Sequence, residues 1–202
     1  MRVPTVVVAV LLCGAVGGVV CGVADGAAAA DVPLGSVVGP ERLPPASGPV
    51  VVTASFADTG VAAVTYDPRV PVGAGVAVFA VSAAAGTTVA LVTRGLLPGR
   101  EYGAHVHAAA CGAVPAAAGP HFQHDVDPVS PSVDPRYANP RNEIWLDLTT
   151  DRAGNGFAHS AVRWSLDDRR PGSVVIHETH THTEPGHAGT AGARLACVTV
   201  PF

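Results

Sequence analysis

The chain is most constrained by a succession of short β-type runs separated by turn signals. They read "VVVTASF" at 50–56, "VAAVTY" at 61–66, "VAVFAVS" at 76–82, "TTVALVT" at 87–93 and "YGAHVH" at 102–107. "EIWLDLTT" at 143–150, "GFAHSAV" at 156–162, "SVVIH" at 173–177 and "LACVTV" at 195–200 continue the series. In "IWLDL", Ile144, Leu146 and Leu148 fall on one face of an extended chain, because successive side chains alternate. Breaks such as "LLPGRE" and "DRAGNG" carry Gly and Pro where the chain must turn, and no segment shows a helical period. Many short strands at this spacing predict an all-β antiparallel sandwich or barrel. Apolar residues make up 48% and aromatics only 5%, so Ala, Val and Gly must do most of the core filling.

The first thirty residues, "MRVPTVVVAVLLCGAVGGVVCGVADGAAAA", join one Arg, an apolar run and an Ala-x-Ala ending. That layout predicts a secretory signal peptide over 1–30, with cleavage near Ala30 and a secreted or cell-envelope protein. Glycines interrupt the run, which argues against a membrane anchor. Cys13 and Cys21 leave lipid anchoring open, although Leu12 and Val20 are poor residues before a lipidated cysteine. Residues 31–49, "DVPLGSVVGPERLPPASGP", read as a Pro- and Gly-rich linker. The 202 residues then leave one domain over 50–202. Cys111 and Cys197 remain after the signal, and an isolated pair in an exported protein is most simply a disulfide.

The formal net charge is −4, and all twelve basic residues are Arg. This excludes a nucleic-acid footprint and a polybasic membrane patch, and no membrane insertion of the mature chain is expected.

Two long connections interrupt the strand rhythm, 108–142 and 178–193, and both carry histidines. His105 and His107 stand one residue apart in a strand-like run, so they share a face while Val106 faces the other way. A solvated polar face is one explanation of the pair. Together with His121 and with His177 at a strand end, a metal site is the other, since neutral imidazoles suit copper or zinc.

The residues "LLPGREYGAHVH", "AGPHFQ", "GSVVIHE" and "AGTAGARLACVTV", in that order, resemble the copper–zinc superoxide dismutase family. The resemblance runs from about Val50 to the C-terminus and implies a Greek-key β-barrel of about eight strands. It further implies copper ligands at His105, His107, His121 and His177, with His121 at the bridging position. The family's disulfide falls on Cys111 and Cys197, and its substrate-guiding arginine on Arg194.

The departures point to one branch of that family. Between 122 and 142 the only histidine is His124, too close to His121 to match a zinc ligand, and "NEIW" stands where a zinc aspartate would fall. The loop from His177 to Arg194 looks short. This pattern is similar to copper-only members, which lack zinc, and it implies that Glu143 holds His121 in place of the second metal. An exposed strand residue is the plainer reading of Glu143. The implied activity is dismutation of superoxide to O₂ and hydrogen peroxide, with His121 as proton carrier and Arg194 attracting the anion. A copper-binding or copper-storing protein without turnover is the alternative. His159 reads as a bystander. His180, His182 and His187 read either as a polar loop or as an additional metal-capture site.

Overall fold

A computed structural model describes residues 48–202. The expected signal segment 1–30 and positions 31–47 of the expected linker 31–49 lie outside the described residues. The strands are β1 (Val50–Ser55), β2 (Ala63–Thr65), β3 (Gly75–Ala83), β4 (Gly86–Arg94), β5 (Glu101–Tyr102), β6 (Ala104–His107), β7 (Leu148–Thr149), β8 (Gly156–Val162), β9 (Ser173–His177) and β10 (Arg194–Thr199). A single 3₁₀ turn spans Pro115–Ala118, and no α-helix occurs among the described residues. No helix there is long and apolar enough to cross a membrane.

Eight strands form two four-stranded sheets, ordered β1-β3-β4-β8 and β2-β10-β9-β6, while β5 and β7 form a separate ribbon. Every ladder between named strands is antiparallel. Neighbours in space are often not neighbours in sequence, as in a Greek-key sandwich, and the two sheets remain open rather than closing into one barrel. One expectation is revised. The run 143–150 is not one strand, because only Leu148–Thr149 pairs regularly. Its earlier part is held by single bridges, His105 to Trp145 and Gln123 to Glu143. Ile144, Leu146 and Leu148 are nonetheless buried on one side as the alternation requires.

The sheets differ in what covers them. In β3 and β4, buried residues alternate with more exposed ones, so one face packs inward and the other meets solvent. Every residue of β6 and β9 is buried. Their inner face joins the core of Val, Leu, Ile and Ala around Phe56, Tyr102 and Phe122. Their outer face lies beneath the 108–142 connection. The Cys111–Cys197 disulfide, with Cα atoms 5.7 Å apart, pins that connection to β10. It closes a sequence separation of 86 residues, worth about 4–5 kcal/mol in the chain-entropy picture. Ala118, Val64 and Val175 pack around it as a second buried cluster. The functional residues sit in this interlayer between sheet and strapped loop.

Candidate metal centre

Strand alternation brings His105 and His107 to the covered face of β6, both fully buried, while Val106 enters the core. The free edge of β6 is completed by two segments of the long connection. Phe122 N–H donates to Val106 O at 2.9 Å, and Val106 N–H donates to Ile144 O at 3.2 Å. These bonds set His121 opposite His107 and Glu143 opposite Gln123. His177, the last residue of β9, is fixed by donation of its N–H to Gly103 O at 2.7 Å. Local pairing therefore gathers four imidazoles from three places in the chain.

Each of the four histidines offers one ring nitrogen, and these atoms lie within 4.8 Å of one another. That span is about twice a metal–imidazole bond of roughly 2 Å. Among the described residues this is the only group of three or more His, Cys, Asp or Glu placed to hold a metal ion. Burial pushes the pKa of His105 and His107 well below the usual value, and the neighbouring histidines push the same way. His177 is pushed down to about 3, chiefly by burial, then by His121 and Arg194. His105, His107 and His177 are thus neutral nitrogen donors, as transition-metal binding requires.

Hydrogen bonds fix which nitrogens are bare. Asp147 accepts both the Thr181 hydroxyl and the Thr181 N–H, each at 2.7 Å. The hydroxyl proton being committed, Thr181 Oγ1 at 2.7 Å accepts from His105 Nε2–H. His105 Nδ1 is then unprotonated, and it is buried without a hydrogen-bond partner. His107 donates Nδ1–H to Gly119 O at 3.0 Å, and His121 donates Nδ1–H to Glu143 Oε2 at 2.8 Å. His177 Nε2 lies 3.3 Å from His107 Nε2, so a proton or an ion must stand between them. These atoms fit a transition metal held by His105 Nδ1 and by Nε2 of His107, His121 and His177.

Glu143 is 1% exposed and fully satisfied. Oε2 accepts from Trp145 Nε1 at 2.7 Å as well as from His121, and Oε1 accepts from Gln123 Nε2 at 2.8 Å. The buried position excludes the reading of Glu143 as an exposed strand residue. Arg194 opens β10 opposite His177 and donates from Nη1 to Pro115 O at 2.9 Å. Burial lowers its pKa, with Tyr66 opposing, yet a guanidinium stays charged at neutral pH. A cavity of about 900 Å³ opens over His121 and His177, walled by Arg194, Pro115, Val126 and Val129 among others.

The other histidines lie elsewhere. His124 is exposed and stacks on Trp164 with ring centroids 5.1 Å apart, and His159 stacks on Phe157 on the outer face of β8. His180 donates from Nε2 to Leu148 O at 3.1 Å. Thr181, Asp147, Gln123 and Trp145 were not anticipated. A signal for two of them was present, since Glu143, Trp145 and Asp147 share the face opposite Ile144, Leu146 and Leu148.

Fold and site together define an antiparallel β-sandwich with a buried tetra-histidine cluster. No family model and no curated protein matches the chain. Among solved structures it is similar to the copper–zinc superoxide dismutase of Brucella abortus, at 19% identity and a TM-score of 0.49, over 75% of this chain and 99% of that one. It is also similar to a double mutant of a SOD-like protein from Bacillus subtilis, at 19% identity and a TM-score of 0.48, over 69% of this chain and 94% of the other. At these values neither likeness assigns an activity, which has to be argued from the residues.

Proposed function

We propose that this protein is an exported, copper-dependent superoxide dismutase of the copper-only kind. The observation that carries the reading is the His121–Glu143 pair, in which a buried carboxylate occupies the imidazole nitrogen that a second metal would need. The donor set favours copper over the harder divalent ions, because all four groups are imidazoles. When bound, copper would supply a one-electron couple, by which one superoxide loses an electron to become O₂ and a second gains one, with two protons, to become hydrogen peroxide.

The protein's own residues provide the rest. Arg194 presents a fixed cation beside the cavity, raising the local concentration of a small anion. Its bond to Pro115 O orients it, and the nearby disulfide holds that loop. Glu143 keeps the Nδ1 proton of His121, so Nε2 serves as a donor and, only when it is not held as one, would be the atom that takes up and delivers a proton. His121 retains 18% side-chain exposure, enough for water to resupply that proton. His105 and His107 are sealed from solvent and serve as fixed donors. The Cys111–Cys197 disulfide accords with an oxidising, extracytoplasmic setting.

Arg194→Ala tests the reading. In purified copper-loaded protein it should lower the second-order rate with superoxide on the order of tenfold and flatten its dependence on ionic strength. Copper affinity should stay unchanged, because the guanidinium is not a donor. Absence of dismutation in the copper-loaded wild type would instead identify a copper-holding protein.

A further inference from the structure

The loop between His177 and Arg194 carries a second imidazole pair that the buried cluster does not use. His182 and His187 are exposed, with ring centroids 6.4 Å apart and ring planes inclined by 54°. A ring centroid lies roughly 3 Å from a metal bound at one of its nitrogens, so two rings on opposite sides of one ion stand about 6 Å apart. The observed centroid separation is within the span that two imidazoles sharing one ion would take.

The loop backbone holds the pair ready. His182 N–H donates to Thr190 O and Gly189 N–H donates to His182 O, both at 2.9 Å, closing the segment at its base. Within it, His187 N–H donates to Glu184 O at 3.1 Å across a turn in which Gly186 has φ +84°, a left-handed value that suits glycine. Gly186 N–H also bonds Val133 O at 3.2 Å, and Ala188 is fully buried, so the tip is anchored. Glu184 Oε1 accepts from His182 Nδ1 at 2.9 Å, which leaves His182 Nε2 without the ring proton. A carboxylate on the remote nitrogen is the usual support of a metal-bound histidine. The loop adjoins the buried centre at both ends. Thr181 touches His105, and the 189–193 segment walls the cavity over His121 and His177.

We infer that His182 and His187 form an outer transition-metal site that collects copper on the loop whose 189–193 segment walls the cavity. It is separate from the buried cluster, and its role in loading rests on the proposed copper occupancy of that cluster. With two nitrogens in place of four, it binds more weakly and releases the ion more readily. A metal held there is presented to the buried donors at a high effective concentration.

The test is stepwise titration of the purified protein with copper(II) alone, followed by electron paramagnetic resonance and chelator competition. The wild type should take one tight and one weaker equivalent. The double variant His182→Gln with His187→Gln should lose only the weaker one. At sub-stoichiometric copper, the buried cluster of this variant should fill about tenfold more slowly. His180→Gln should change nothing, because that ring is committed to Leu148 O. A single equivalent in the wild type, a retained weaker equivalent in the double variant, or an unchanged filling rate would overturn the inference. The separate variant His105→Ala distinguishes the two sites. Loss of the tight equivalent with the weaker one intact leaves the outer site standing even if the catalytic reading fails.

Discussion

Glu143 Oε2 accepts hydrogen bonds from His121 Nδ1 and from Trp145 Nε1, at 2.8 and 2.7 Å, inside a site that leaves the carboxylate 1% exposed. One buried oxygen therefore sets the tautomer and the angle of the most exposed imidazole in the cluster. Glu143→Ala removes one acceptor each from His121, Trp145 and Gln123, the last keeping its bond to Ser132 Oγ. Copper affinity, read by chelator competition, should fall about 10- to 100-fold. Each stranded buried donor should cost about 1–3 kcal/mol, read from urea unfolding. Glu143→Gln should keep more of the stability but still weaken copper binding. A wild-type affinity in both variants would remove Glu143 from the site.

Asp147 acts on His105 through Thr181, and the bond directions require His105 to carry its proton on Nε2. Nitrogen-15 correlation spectra of the metal-free protein should show that tautomer. Thr181→Val should mix or reverse it, whereas Thr181→Ser should restore it. A dominant Nδ1–H form of His105 in the wild type would refute the assignment.

Acid should destabilise the metal-free protein. His105, His107 and His177 are held below the ordinary histidine pKa, His177 at about 3. As pH falls below about 6.5 the unfolded chain takes up protons that the folded chain refuses, so stability drops towards the folded values. Above that pH the groups are neutral in both states and contribute no slope. Urea midpoints should accordingly be flat from pH 7 to 8 and fall between pH 6.5 and 4. His177→Gln should give a shallower fall, and an identical fall would show that this imidazole is not the source.

Reduction of Cys111–Cys197 should lower the melting temperature and loosen the 108–142 segment before the sheets. The disulfide ties that segment to β10, whereas the sheets are held by their own ladders. Hydrogen exchange should speed up at Ala108 and Ala109, whose N–H groups bond Pro120 and Ala118 within the segment, more than at Val174 or Val198. Uniform acceleration across the sheets would contradict this.

Much of this was legible in the chain itself. Alternation is a local property, so the strands of both sheets, the shared face of His105 and His107 and the apolar face of Ile144, Leu146 and Leu148 follow from spacing alone. The ordered motifs extended this to His121, His177, Arg194 and the Cys111–Cys197 pair. What spacing does not encode is which remote atoms meet. "EIWLDLTT" reads as a continuous strand, yet its first half is shaped by single bridges to β6 and to Gln123, since the edge of β6 offers only isolated partners there. That irregular stretch turns Glu143 towards His121 and Asp147 towards Thr181, across sequence separations of 22 and 34 residues. The bare nitrogen of His105, His107 and His121 is likewise a tertiary fact. It depends on whether the opposite nitrogen meets a hydroxyl, a carbonyl or a carboxylate, and those partners arrive from other loops. The sequence by itself determined the sandwich and pointed to the four histidines that meet in it. Only the folded packing of loop against sheet decided their protonation, their orientation and the access of solvent to the cluster.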